Sequence, residues 1–312
     1  MDRIDNERWY RTPLDKSTLD SLNQANSVRG GMRLLGHLTL LLFTGTALLL
    51  TLRSHCWPLA VLSFLVHAVA VNFLGYTGAG HEFFHGSVFR SKALNRMCFR
   101  LCSIFTWNNW AYFALTHTRH HAITSLPGDP EVCQYRRLSV ASVIPLVFFD
   151  GMKMLRIIRI LLINAMGVIP GHAGIDLRGE RKAPARRRLF RAARTIVLVH
   201  ALIIAVSLFT GHWPLVFVVS LAPFGATWLS HVLAAGQHVG LARDVKDYRR
   251  SSRTIALSPL LSFLYWNMNF HIEHHMYPGV PCYNLPKLQR EICHDLPEPT
   301  QGLAALLDEL HS

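Results

Sequence analysis

The sequence is short of charge. Only 16% of its 312 residues are Asp, Glu, Lys or Arg, where a soluble domain carries about 25%. Acids are the scarcer sign, 19 against 32 bases. Half of the residues are hydrophobic and the mean hydropathy is positive. A chain of this composition is expected to bury much of its surface in lipid. Paired cysteine chemistry is also lacking. The six cysteines, at 56, 98, 102, 133, 282 and 293, form no CxxC pair, which excludes the common iron–sulfur and zinc spacings and leaves ordinary reduced thiols. The opening stretch MDRIDNERWYRTPLDK has no apolar signal core, so insertion is expected to rely on internal segments. No linker, internal repeat or low-complexity tract divides the chain, and residues 1–312 read as one membrane-embedded domain.

Four apolar stretches have lengths near that of a bilayer crossing, at 35–52, 57–77, 195–211 and 213–233. The fourth is interrupted by Pro223, which a membrane helix tolerates when neighbours satisfy the freed carbonyl. The stretches form two tight hairpins, turning near 53–56 and 211–212. Lys and Arg sort between the two sides: 6 precede the first hairpin, 18 lie between the hairpins, 7 follow the second, and only Arg53 sits in a tight turn. By the positive-inside rule both termini and the central loop face the cytoplasm. The net charge of +13 then reads as attraction to anionic headgroups rather than to nucleic acid. Residues 138–170 are apolar but carry Lys153, Arg156 and Arg159 at three-residue intervals, which suits a helix lying in the interface; two further crossings are the rival reading. The basic run from Arg178 to Arg194 reads as a headgroup-facing segment, or more sharply as a docking patch for an acidic partner.

The 18 histidines are unevenly placed. Eight fall into three clusters: His81 and His85; His117, His120 and His121; His271, His274 and His275. Residues three and four apart share a helical face, so each cluster presents convergent imidazoles, and neutral imidazole suits iron, zinc and copper. An even number of crossings separates the clusters, so all three reach the same side of the membrane. Random histidines would not satisfy both spacing and parity.

The pattern HxxxH, HxxHH, HxxHH resembles that of the membrane fatty acid desaturase superfamily. The stretch YWNMNFHIEHHMYPGVPCYNLPKL at 265–288 is similar to the last histidine box of acyl-lipid and sphingolipid desaturases, and the resemblance runs from about Gly80 to Leu296. It implies an all-α integral membrane protein, a four-crossing helical bundle with interfacial helices and a cytosolic histidine-rich cap. It also implies two iron ions, O2 as co-substrate, and a further histidine between the second and third boxes. The segment Gly236-Gln237-His238-Val239-Gly240 fits that place, making His238 the ninth ligand; His231, on a similar helical face but deeper, is the competitor. Glu82 and Glu273 adjoin ligands and are expected at the surface or orienting an imidazole through its other nitrogen. Asn267 and Asp129 are candidates for the same supporting role, with a helix cap or packing role for Asn267 and a plain turn for Asp129 as the ordinary readings.

The resemblance implies O2-dependent desaturation of a fatty acyl or lipid-like chain, with hydroxylation or ketolation of an alkyl, sphingolipid or carotenoid substrate at the same site as the alternative. A zinc-binding hydrolytic or structural membrane protein is the contrasting class, although structural zinc takes four ligands, often with cysteine. No haem motif of the cytochrome b5 type is present. Electrons are therefore expected from a separate ferredoxin, rubredoxin or cytochrome b5. The expected location is a bacterial inner membrane, with both termini and the active site cytoplasmic. Trp107, Asn108, Asn109, Trp110 and Tyr112 precede the second box and are read as tunnel-lining or interfacial residues. His37, His67 and His200 lie inside apolar stretches and are expected to be neutral and bonded to neighbouring carbonyls. His55, His172, His212, His294 and His311 fall in loops, turns or the tail.

Overall fold

The computed structural model describes residues 8–131, 140–170 and 176–311; His172 and the first residues of the 138–170 segment lie outside this range. The chain is mostly helical. In order, the helices are α1 (Lys16–Asn23), α2 (Ser27–Arg53), α3 (Trp57–Asn72), α4 (Ala79–His85), α5 (Lys92–Phe105), α6 (Trp110–Ala122), α7 (Val140–Phe148), α8 (Gly151–Ala165), α9 (Ala183–Phe209), α10 (Trp228–Gly236), α11 (Tyr248–Ser251), α12 (Pro259–Leu264), α13 (His271–Met276), α14 (Leu285–Ile292) and α15 (Gly302–His311). Two short parallel strands, β1 (Ile255–Ala256) and β2 (Thr300–Gln301), tie the C-terminal region together.

Local chemistry sets several helix starts. Asn26 accepts from the backbone N–H groups of Val28 and Arg29, and Asn109 from those of Ala111 and Tyr112. Asp150 and Ser258 do the same for α8 and α12. Each such cap satisfies a donor that the helix itself leaves unpaired.

Among the described residues, two helical runs are long and apolar enough to cross a membrane, α2 and Glu180–Phe209. The apolar helix α3 is shorter, at 16 residues. Large apolar side chains face outward from these helices, as at Leu42 (72% exposed), Leu198 (69%) and Phe209 (94%). That is the reverse of a water-soluble helix surface. The expected 57–77 helix ends early, at Asn72. The chain then turns through Phe73–Gly78, and a Cβ at Gly78 would lie 2.3 Å from the Phe73 carbonyl oxygen. Only glycine fits this turn, which redirects the chain into the first histidine helix. The basic run of Arg186–Arg194 belongs to α9 itself and so extends the third apolar helix rather than forming a loop.

The 213–233 stretch departs most from a simple helix. It runs as a π-helical turn (Val216–Leu221), a 3-10 turn (Ala222–Phe224), an extended residue at Gly225 and then α10. Pro223 has no N–H to give, and the freed backbone groups find other partners. The His67 Nε2 lies 3.0 Å from the Val218 carbonyl and the Trp107 indole N–H donates to Ser220 O at 2.9 Å. Asn72 donates to Gly225 O at 2.8 Å. The α7–α8 junction completes the set: Asp150 N donates to Phe224 O at 2.7 Å and Ala226 N to Phe148 O at 2.9 Å. The other histidines of the apolar stretches behave alike, with His37 Nε2 3.0 Å from Ala70 O and His200 Nε2 2.9 Å from Ile104 O. All three are neutral bridges to carbonyls, as their apolar surroundings demand.

Helix α8 is strung between this break and α9. Its N-terminus bonds Phe224 and its last carbonyl accepts from Arg194. Met154, Ile157, Ile158 and Leu161 pack with Ala193, Ile196 and Phe224. Its three cations do not act as one stripe: Arg156 and Arg159 are exposed, while Lys153 donates to Pro223 O at 3.2 Å.

The break has no room for a side chain at Gly225, where a Cβ would meet Phe64 Cε1 at 2.5 Å and Ala68 Cβ at 2.9 Å. Gly225→Val is expected to cost about 1–3 kcal/mol by overpacking. A lowered melting temperature of the detergent-solubilised protein would show it; an unchanged one would mean that α3 and the break can separate freely.

Candidate metal centre

The clustered histidines sit on three helices, of 7, 13 and 6 residues. His81 and His85 occupy one face of α4; His117, His120 and His121 end α6; His271, His274 and His275 make up half of α13. His238 follows α10. The segment around it is held by Arg253, whose Nη1 donates to Gly236 O and, at 3.2 Å, to Val239 O.

Nine imidazoles meet in two groups. One contains His81, His85, His117, His121 and His274, the other His120, His238, His271 and His275, with the donor atoms of each group within 4.8 Å of one another. The adjacent pairs are split. His121 joins the first group and His120 the second; His274 joins the first and His275 the second. An HxxHH helix end therefore serves both groups, the i and i+4 residues entering one and the i+3 residue the other.

The outer nitrogens fix the inner ones. The His120 Nδ1 lies 2.9 Å from Asp129 Oδ2, His117 Nδ1 3.0 Å from Glu131 Oε2, and His81 Nδ1 3.1 Å from Glu82 Oε1. His238 Nδ1 donates to the Ser251 carbonyl at 2.8 Å. Thr124 gives its hydroxyl proton to His120 O, so its oxygen can accept from His275 Nδ1 at 3.3 Å. With Nδ1 carrying the proton, each Nε2 presents a lone pair inward.

Those lone pairs face one another at short range. The Nε2 atoms of His238 and His271 are 3.0 Å apart, as are those of His271 and His275. His117 lies 3.1 Å from both His85 and His121, and His121 lies 3.3 Å from His274. Facing lone pairs repel unless a proton or a cation lies between them. A first-row metal ion with bonds of about 2.1 Å to imidazole sets neighbouring nitrogens about 3.0 Å apart at a right angle and about 3.4 Å apart at the tetrahedral angle. The observed separations fall in that range. The buried His81 Nε2 has no hydrogen-bond partner, as expected of a nitrogen reserved for a metal. The two groups thus fit two divalent cations.

Electrostatics keep the donors neutral. Burial, followed by the charges of neighbouring imidazoles, holds His85, His117, His121, His271, His274 and His275 well below their ordinary range. Burial and His120 push His238 down to about 3. Neutral imidazoles need no deprotonation before binding a metal. For Asp129, burial raises the carboxyl pKa, but the hydrogen bonds from His120 and from the Glu131 and Ser125 backbone outweigh it and hold it ionised.

A family model for fatty acid desaturases matches residues 54–304. The chain belongs to the fatty acid desaturase family. The match extends beyond the Gly80–Leu296 region of resemblance and takes in α3 and the start of α15. No curated protein matches the chain. Desaturase family membership makes the protein an oxidoreductase of fatty acyl-type chemistry, and its histidine clusters fit metal binding.

Not every residue singled out in the sequence reaches this desaturase site. His231 lies in α10 and belongs to neither group. Asn267 neither caps α13 nor meets a histidine; its amide donates to Cys282 O at 2.8 Å and its oxygen faces Arg33. Glu82 and Glu273 are fully buried, which excludes the surface reading. Glu82 meets His81, whereas Glu273 accepts from Thr254 Oγ1 at 2.6 Å, and burial pushes its pKa up to about 7. Trp107 is buried and stacks on His200 with ring centroids 3.8 Å apart. Glu131 is the residue the sequence reading missed. Its signal was an acid two positions past Asp129, in the same turn.

Asp129→Asn and Glu131→Gln each weaken the hold on one imidazole. Loss of such a partner typically lowers metal affinity about 10–100-fold. Competition with a chelator should register that loss in both variants; wild-type retention would mean that these carboxylates merely pack.

Proposed function

We propose that the protein is a membrane-embedded di-iron desaturase acting on a fatty acyl or lipid-like chain. The observation that carries this reading is the pair of histidine groups, nine imidazoles with no cysteine among them, in a chain of the desaturase family. Zinc in structural sites takes four ligands, so a five- and a four-histidine group side by side suit a redox pair better. His81, His85, His117, His121 and His274 would hold one iron; His120, His238, His271 and His275 would hold the other. Bound there, the irons would supply the O2-derived oxidising power needed to remove hydrogen from an unactivated methylene, which no side chain can do alone.

The chain's own residues then have defined tasks. Asp129, Glu131, Glu82 and the Ser251 carbonyl hold protons on the outer imidazole nitrogens and so keep the inner ones available. Phe113, stacked on His117 at 4.7 Å, and Tyr76, stacked on Phe113 at 3.7 Å, exclude water from one side. The helices α2, α3 and α9 with the broken 213–236 segment would make a four-crossing bundle, its histidine cap and both termini on the cytoplasmic side. Parity of the crossings and the bias of Lys and Arg support that orientation. The exposed apolar side chains of α8, among them Met152 and Leu155, suit a helix resting in the interface. A separate one-electron carrier would supply the reducing equivalents.

Protein purified in detergent from iron-supplemented cells should contain two irons per chain, and lipid extracts of expressing cells should show acyl chains that have lost two hydrogens. Added oxygen would assign hydroxylation instead. Zinc alone under iron-rich growth would sink the redox reading. His120→Ala and His274→Ala should reduce turnover to background while membrane insertion persists, and His231→Ala should leave most activity intact.

A further inference from the structure

The two histidine groups differ in access. His85 and His121 of the five-histidine group are half-buried, whereas His120, His238, His271 and His275 are all buried. The four-histidine group is nevertheless linked to the surface by a ladder of rings. Tyr248 lies over His275, with centroids 5.2 Å apart and planes 28° from parallel. Trp9 lies over Tyr248 at 4.5 Å and 9°. Tyr248 is 2% exposed, while Trp9 is only half-buried and so open to solvent at one side.

The segment that delivers Trp9 is firmly fixed. The Trp9 indole N–H donates to Ala122 O, one residue past the His120–His121 pair. Tyr10 N donates to Lys246 O at 2.9 Å, and the hydroxyls of Tyr10 and Thr12 both donate to Asp295 at 2.6 and 2.7 Å. Arg249 bonds Asp295 from the other side and lies over the Tyr10 ring at 3.8 Å. Tyr277 donates to Thr12 O. Such investment in a segment outside the 54–304 family match calls for a role in this chain. On either side of Trp9, Arg8 and Arg11 are exposed.

We infer that Trp9 and Tyr248 form the electron route from the surface through His275 to the buried four-histidine centre, and that the carrier docking over Arg8, Trp9 and Arg11 is an acidic one-electron protein. The inference rests on the di-iron reading above. In each encounter the carrier loses one electron and the metal centre gains one; Trp9 and Tyr248 end unchanged and no proton remains on either. Stacked π-systems at contact distance give an unbroken orbital path where a gap of saturated side chains would not. The arginines steer an acidic partner to the outer ring, an effect that falls with ionic strength.

The test uses the full-length, iron-loaded, oxidised protein in stopped-flow absorbance, mixed separately with reduced ferredoxin, reduced rubredoxin, reduced cytochrome b5 and dithionite. At least one carrier is expected to reduce the wild type, more slowly at high salt. Trp9→Leu should slow that carrier several-fold while leaving iron content and the dithionite rate unchanged; Trp9→Tyr, which restores a ring, should recover most of the rate. A wild-type rate in Trp9→Leu would overturn the route. Equal slowing with dithionite would reduce Trp9 to a packing residue, and failure of all three carriers on wild type would remove the docking proposal. Absence of iron from the wild type would be a separate result, striking the function reading first.

Discussion

The structure depends on convergent imidazole nitrogens in a largely buried space. Nine imidazoles aim nitrogens at two points, and for five of them a neighbour fixes the proton on the outward side, at Asp129, Glu131, Glu82, Ser251 and Thr124. Left to itself, this arrangement is repulsive and costly. A cation at each point would relieve it, and the surrounding shell keeps the rings from turning over. Many of the fold's less ordinary features serve that shell: the glycine turn that starts α4, the Arg253 clamp near His238, and the capping turn that carries Asp129.

A second constraint comes from the apolar surroundings of the long apolar segments. Backbone groups that leave regular helix there need partners, and the 213–236 segment leaves it for several residues. His67, Trp107 and Asn72 each supply one of the missing bonds, and the α7–α8 junction supplies two. The irregular segment is therefore a fixed piece of architecture. It sets where α10 begins, and hence where His238 emerges.

Much of this was legible in the sequence because helical spacing is periodic. The boxes at 81–85, 117–121 and 271–275 announced themselves by residues three and four apart, and His238 through the resemblance, which implies a further histidine between the second and third boxes. The neutral, carbonyl-bound state of His37, His67 and His200 followed from their apolar neighbours. Other features had no periodic signal. Glu131 reaches His117 only because a turn folds back, and Asn267 turned out to hold a loop to Cys282 rather than serve a histidine. The π-helical course of 216–221 depends on partners in three other elements. Likewise, nothing near Trp9 in sequence indicates that it will lie on Tyr248, more than two hundred positions away.

The split of the adjacent histidines has a mechanical consequence. His120 and His121 share one helix end, as do His274 and His275, yet each pair divides between the two groups. Neither point can be tightened, emptied or displaced without tugging the helices that form the other. Filling one would pre-set the geometry of the second, so two ions held there would form a single cooperative unit, with the singly filled state the strained exception rather than a halfway stage.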